Sequence, residues 1–149
     1  MTNETVDGLP PLAVADRLDA LRALFDDAGV DALLVTGTTN VRYLTGFTGS
    51  AGNLWVDDRR AVLITDGRYS EQAPTQIADA GTPVDVEVSG SSDQSPVTAL
   101  ADGSTRIGLE ARLVTWSEQQ RLAKLLDDDP VAADGLVEKL RALLGAKRH

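Results

Sequence analysis

Residues 46–52 read Gly-Phe-Thr-Gly-Ser-Ala-Gly, and residues 61–69 read Ala-Val-Leu-Ile-Thr-Asp-Gly-Arg-Tyr. The first segment is rich in glycine, which allows a tight connection and close approach of the backbone to its neighbours. The second segment starts as an aliphatic run typical of a buried strand and ends in a polar turn. A further short strand at 54–56 and a connection at 57–60 lie between them. The region therefore predicts a β-hairpin that is entered and left through loops.

The rest of the chain alternates helical and strand patterns. Apolar residues at helical spacing over 16–28 predict a helix that Gly29 ends, and 32–35 is typical of a buried strand. The other predicted elements are a helix capped by Thr39 or Asn40 and running to 44, a helix over 69–80, a half-exposed strand at 84–88, a polar loop at 90–95, a short helix at 96–100, a strand at 107–109, a helix opened by Thr115, and a last amphipathic helix ending near Gly145. This order favours an α/β fold, with a mixed β-sheet flanked by helices on its faces.

Two local signals bear on the helix boundaries. Pro74 lies inside the 69–80 pattern, where it removes a backbone donor, so this helix is either kinked or starts later than its pattern. Thr115 and Glu118 match a capping box, in which the hydroxyl and the carboxylate satisfy backbone N–H groups at the start of a helix.

Length and composition predict one globular domain. The chain has 149 residues, of which 42% are hydrophobic and 25% are charged, and this is ordinary for a protein with a single core. Residues 1–15 are polar and contain proline, so we expect a flexible lead-in. Residues 16–144 then form the domain, and no linker divides them.

Several classes of protein are disfavoured. The net charge of −9 argues against nucleic-acid binding through a basic patch. The absence of cysteine excludes disulfides and thiolate metal ligands. The first residues lack the pattern of a signal peptide, and the longest aliphatic runs are too short to cross a membrane. We therefore expect a cytoplasmic protein that binds neither nucleic acid nor membrane.

The chain carries no signature of a catalytic centre of its own. Its one histidine is His149, the last residue, whereas a serine nucleophile normally needs a base such as histidine, and few metal sites lack both histidine and a recognisable motif. Neither a His-Glu-x-x-His segment nor an Asp-x-Asp-x-Asp-Gly loop occurs. The glycines of 46–52 could cradle an anion, but no Gly-Lys-Ser/Thr follows, and a tight connector is favoured. We expect no catalytic residue and no metal ligand here.

Arg68 is the strongest candidate for a binding role. It follows the 61–64 strand and precedes a helix, and sites gather at such strand ends in α/β sheets. A guanidinium can hold a carboxylate or a peptide carbonyl through paired hydrogen bonds. The alternative is an ion pair with Asp66 or Glu71 that only fixes the turn.

The aromatic residues near these two segments are few. Tyr69 is a weaker candidate for substrate contact, and the sequence does not decide its role. Phe47 and Trp55 are expected to pack in the core or against the loops.

These segments resemble the amino-terminal domain of the creatinase/aminopeptidase P family, which includes Xaa-Pro aminopeptidases and Xaa-Pro dipeptidases. The resemblance rests on residues 43–50 (Tyr-Leu-Thr-Gly-Phe-Thr-Gly-Ser), 65–69 and 72–73, together with their spacing. It extends from about Asp16 to Arg141 and includes 106–110 and 136–141. It implies a creatinase/prolidase N-terminal domain-like fold with a ribonuclease H-like motif.

The resemblance also implies a function for a larger protein. Family members hydrolyse the bond before proline, using a pita-bread domain in which Asp, His and Glu ligands hold two divalent ions, often Mn²⁺. Their amino-terminal domain restricts substrates to short proline-containing peptides and contributes contacts to a homo-oligomer. Arg68 matches the arginine that contacts the peptide in aminopeptidase P members.

The chain departs from the family because it stops at His149, without the catalytic domain and its metal ligands. We therefore expect the accessory domain of an Xaa-Pro metallopeptidase, inactive alone. Two alternatives stay open, a stand-alone peptide-binding or regulatory module that pairs with a full-length peptidase and a fragment of a creatinase-like amidinohydrolase. The segments at 46–50 and 66–69 favour a peptidase over a creatinase, and the ending near a domain boundary favours a truncated enzyme over a module.

Overall fold

The computed structural model describes residues 13–89, 100–101, 106–126, 130–133 and 135–146. The helices in this part of the chain are α1 (Val14–Arg22), α2 (Phe25–Ala28), α3 (Thr38–Thr45), α4 (Gln72–Ala80), α5 (Trp116–Leu126) and α6 (Leu136–Ala146), with a 3₁₀ turn at Gly67–Tyr69. The strands are β1 (Ala32–Val35), β2 (Gly52–Asp57), β3 (Ala61–Asp66), β4 (Asp85–Ser89), β5 (Ile107–Leu109) and β6 (Val131–Ala132). None of the helices described is long and apolar enough to cross a membrane.

These strands form one mixed sheet in the order β4-β3-β2-β1-β5-β6. Strand β2 runs antiparallel to β1 and β3, and the other neighbouring pairs are parallel. The ends of β1, β3 and β5 therefore meet the start of β2 at one edge of the sheet. We call this the carboxyl edge, and it is defined by residues 36–37, 50–51, 66–68 and 110. The predicted mixed α/β sheet is confirmed.

The core lies on both faces of the sheet. Successive side chains of a strand point to opposite faces, so Leu33 packs in one apolar cluster with helices α1, α3, α4 and α6, and Leu34 packs in a second with α5. All four residues of β1 are buried. Phe47 and Trp55 are 1% and 0% exposed, which confirms their predicted packing role.

Two helices differ from the sequence pattern. The helix predicted over 16–28 is divided into α1 and α2, with a tight turn in which the Leu24 N–H donates to the Leu21 carbonyl at 2.9 Å. Gly29 ends α2 as predicted, with φ of 73°. The helix predicted over 69–80 begins later, at Gln72. Pro74 thus lies in its first turn, where a missing N–H removes no helical hydrogen bond.

The predicted caps have mixed outcomes. The cap by Thr39 or Asn40 is wrong, because the cap position of α3 is Gly37 and no local side chain bonds there. In α5, the Glu118 N–H donates to the Thr115 hydroxyl at 3.1 Å as predicted. The Glu118 carboxylate, which a capping box would direct to the Thr115 N–H, instead pairs with Arg121 at 2.6 Å, so this half of the prediction is not confirmed. The predicted loop at 90–95 and helix at 96–100 lie, except for residue 100, outside the described residues.

Candidate functional site

The segments 46–52 and 61–69 meet at the carboxyl edge. Strand β3 ends at Asp66, whose side chain accepts a hydrogen bond from the Arg68 N–H at 3.0 Å and so caps the 3₁₀ turn. Gly52 at the start of β2 pairs with Thr65 near the end of β3. The antiparallel register therefore places the glycine-rich loop, residues 46–51, beside the turn that carries Arg68.

Arg68 forms a two-bond ion pair with Asp66. Its Nε lies 3.1 Å from Asp66 Oδ1, and its Nη2 lies 2.8 Å from Asp66 Oδ2. The side chains remain 67% and 37% exposed, respectively. These hydrogen bonds lower the pKa of Asp66 and raise the pKa of Arg68. The pair that fixes the turn is thus formed, and the rest of the Arg68 guanidinium faces solvent.

Tyr69 links this turn to the glycine-rich loop. Its hydroxyl lies 2.8 Å from the Ser50 hydroxyl and accepts from the Ser50 N–H at 3.2 Å. Its ring meets Phe47 edge to face, with centroids 5.3 Å apart and planes at 87°, a favourable aromatic geometry. The Arg68 Cζ lies 5.3 Å from the Tyr69 ring centroid, within the range of a cation–π contact.

Three N–H groups of the glycine-rich loop are bonded to side chains of the protein. Those of Phe47, Thr48 and Ser50 donate to the side chains of Thr45, Gln76 and Tyr69, respectively. A Cβ added at Gly49 would lie 2.2 Å from Phe47 Cζ, and one at Gly52 would lie 2.9 Å from Phe47 Cε2. This geometry supports the tight connector over an anion cradle.

The two tyrosines of the chain are expected to ionise at different pH. Hydrogen bonds from Ser50 stabilise the phenolate and lower the pKa of Tyr69 from its ordinary value of 10.0. Burial is the main reason that the pKa of Tyr43 is raised from 10.0. An alkaline titration followed by tyrosinate absorbance should show one step below the ordinary value and one above it. Tyr69→Phe should remove the lower step and Tyr43→Phe the upper. A lower step that survives in Tyr69→Phe would contradict the assignment.

A second polar group at the carboxyl edge was not predicted. Glu110 follows β5 and is only 3% exposed. Its Oε1 accepts from the N–H groups of Thr36 at 2.7 Å and Gly37 at 2.9 Å, and its Oε2 accepts from Asn40 Nδ2 at 2.6 Å. The carboxylate therefore holds the start of α3, and its negative charge suits the positive end of that helix.

Asn40 extends this group to the last described helix. Its Nδ2 also donates to Glu138 Oε2 at 2.9 Å, and its Oδ1 accepts from Arg141 Nη1 at 3.0 Å. We call Asn40, Glu110, Glu138 and Arg141 the Glu110 cluster. It ties α3, β5 and α6 together. In the sequence, Glu110 directly follows a predicted strand, which suggests a site at the strand end. This position does not indicate which residues Glu110 contacts.

A cavity of about 300 Å³ lies beside this cluster and is lined by Glu110, Arg112, Leu113, Gly135 and Glu138. Among the described residues, no group of three or more His, Cys, Asp or Glu side chains is placed to hold a metal ion.

Known proteins resemble this chain in sequence and in structure. The uncharacterized peptidase YqhT of Bacillus subtilis is 40% identical over 131 residues, which are 85% of this chain and 36% of that protein. The N-terminal domain of the cytoplasmic peptidase PepQ from Mycobacterium tuberculosis has a TM-score of 0.74 and 38% identity, covering 85% of this chain and 99% of that one.

A longer enzyme shares the fold of this chain over the part that the two have in common. The X-prolyl aminopeptidase of Caenorhabditis elegans, a cytosolic enzyme with a di-nuclear active site, has a TM-score of 0.69 and 26% identity. The match covers 88% of this chain and 26% of that one. The chain thus spans much less than half of the length of the curated relative and of this enzyme.

The family comparison covers most of the chain. Residues 17–143 match the model of the Creatinase/Prolidase N-terminal domain. The matched range includes the whole sheet, both quoted segments and the Glu110 cluster. This protein therefore belongs to the creatinase/prolidase N-terminal domain family.

Proposed function

We propose that this chain is the amino-terminal accessory domain of an Xaa-Pro metallopeptidase and that it contributes a peptide-binding arginine. The observation that carries the proposal is the position of Arg68, exposed at the carboxyl edge with part of its guanidinium open. A fixed guanidinium can donate paired hydrogen bonds to a peptide carbonyl or carboxylate. The names of the relatives, peptidases and an X-prolyl aminopeptidase, support a peptidase over a creatinase-like enzyme.

The metal centre belongs to another domain in this proposal. The described residues do not fit a pair of divalent ions, because they hold no suitable group of ligands. We place the two ions, Mn²⁺ by resemblance, in a catalytic domain that follows residues 16–144. We also propose a cytoplasmic homo-oligomer whose substrates are short proline-containing peptides. The role of this chain is then to position and restrict the peptide.

Within the site, Tyr69 has the weaker substrate role. Its hydroxyl is engaged by Ser50, and its ring packs on Phe47. The cation–π contact with the Tyr69 ring and the two side-chain bonds to Asp66 hold Arg68 in place. We propose that Tyr69 shapes the wall beside the peptide while Arg68 makes the polar contact.

The test is Arg68→Ala in the longest native protein that contains this sequence. Loss of a charged hydrogen bond in the bound state should lower kcat/KM for an Xaa-Pro peptide roughly 10- to 100-fold. Arg59→Ala is the matched control, because Arg59 is an exposed arginine in the hairpin at the opposite edge of the sheet. An unchanged kcat/KM in Arg68→Ala would contradict the proposed role. Cleavage of an Xaa-Pro dipeptide by the pure 149-residue chain would contradict the accessory assignment.

A further inference from the structure

Asp66 occupies one edge of the Arg68 guanidinium and leaves another edge open. The occupied edge consists of Nε and Nη2, which bond the two carboxylate oxygens at 3.1 and 2.8 Å. The open edge consists of Nη1 and the second N–H of Nη2, for which the described part of the chain offers no acceptor. A guanidinium is planar and its donors form a fixed fork. The two bonds to Asp66 therefore set the direction in which the open edge points.

The charge of Asp66 also affects what can bind there. The Asp66–Arg68 pair has no net charge, and a ligand at the open edge lies close to the Asp66 carboxylate. A neutral carbonyl oxygen accepts the N–H bonds without repulsion. A free carboxylate accepts the same bonds but is repelled by the like charge of Asp66. Since Asp66 is partly exposed, solvent and salt weaken this repulsion without removing it.

We propose that Asp66 is a positioning residue that shifts the selectivity of Arg68 away from a terminal prolyl carboxylate and toward a neutral prolyl carbonyl. This inference rests on the proposed function of Arg68 in peptide binding. The charge of Asp66 then favours peptides that continue beyond proline, relative to Xaa-Pro dipeptides with a free carboxylate.

The experiment compares two matched substrates in the longest native protein that contains this sequence. One is an Xaa-Pro dipeptide, and the other is the same dipeptide with a carboxamide in place of its carboxylate. Asp66→Asn removes the charge but keeps an oxygen that accepts from the Arg68 N–H and so retains the turn. We expect the ratio of kcat/KM for the amide to kcat/KM for the acid to fall about threefold in Asp66→Asn, mainly through KM.

Two controls separate this effect from others. Asp58→Asn removes the same charge from an exposed aspartate in the hairpin at the opposite edge, and it should leave the ratio unchanged. The fall caused by Asp66→Asn should shrink when the salt concentration is raised.

The outcomes distinguish this inference from the proposed function. An equal loss on both substrates in Asp66→Asn would show that Asp66 only fixes the turn, and it would overturn the inference. An unchanged ratio, or the same shift in Asp58→Asn, would overturn it too. In each case, a loss of kcat/KM in Arg68→Ala would leave the proposed function standing. No loss in Arg68→Ala would count against the proposed function itself.

Discussion

Replacing Glu110 with alanine is expected to lower the free energy of unfolding by about 3 kcal/mol. The substitution removes the acceptor of three N–H groups, namely the backbone N–H groups of Thr36 and Gly37 and one of the two amide N–H groups of Asn40. The bond from the Asn40 amide to Glu138 remains. It also removes a negative charge from the start of α3. Each donor that is left unpaired in a part-buried place costs free energy, because its hydrogen bond to water was given up on folding. These losses are not fully additive, since the donors share one carboxylate.

Urea unfolding followed by circular dichroism measures this loss. Asp58→Ala is the control, because it removes a carboxylate whose pair with Arg59 is long, at 3.9 Å, and exposed. Its effect should stay below about 0.5 kcal/mol. Glu110→Gln keeps the shape and one acceptor oxygen, so it should fall between the two. If Glu110→Ala unfolds at the same urea concentration as Asp58→Ala, with the same m-value, the Glu110 cluster does not stabilise the fold.

The Glu110 cluster shows why part of the fold could not be predicted from sequence. Glu110 is 74 residues from Thr36 along the chain. They meet because β1 and β5 are parallel neighbours, with Leu34 opposite Leu109. Periodicity predicts each strand but not its neighbour. The sequence predicted Asn40 as a possible helix cap because it is polar and lies near the start of a helical pattern. In the structure its side chain is instead buried against Glu110 and Glu138.

In other parts of the fold, local sequence patterns were sufficient to predict the helices and strands. The strands around the hairpin and the stop at Gly29 were predicted because each depends on residues close in sequence. The break between α1 and α2 has no glycine or proline to mark it, so its pattern looked continuous. At the site, the position of Arg68 at a strand end was predictable. The contact between Ser50 and Tyr69 was not, since it depends on the register of Gly52 with Thr65.

Replacing Gly49 with alanine should destabilise the protein by about 2 kcal/mol. The new Cβ would lie 2.2 Å from Phe47 Cζ and 2.8 Å from Tyr69 Cε1, both too close for carbon atoms. The ring of Phe47 is 1% exposed and is held by the core, so it cannot move away freely. The loop must shift instead. A shift separates Ser50 from Tyr69, so the two hydrogen bonds that link the loop to the turn are strained or lost.

Gly67→Ala is the matched control at the same site. Nothing lies within 4 Å of a Cβ at Gly67, and its backbone is not left-handed. Alanine should therefore be neutral or slightly stabilising, because it reduces the conformational freedom of the unfolded chain.

The same titration of the two tyrosines gives a second measurement of the effect of Gly49→Ala. If Gly49→Ala displaces Ser50, the pKa of Tyr69 should rise toward 10.0, while that of Tyr43 stays the same. A Gly49→Ala protein as stable as Gly67→Ala, with an unmoved lower step, would mean that the loop accepts the methyl group without shifting. In that case, close backbone approach would not be the reason for glycine at this position. The expected outcome instead makes the glycine-rich loop a packing surface for Phe47 and Tyr69, and through Tyr69 a support for the guanidinium of Arg68.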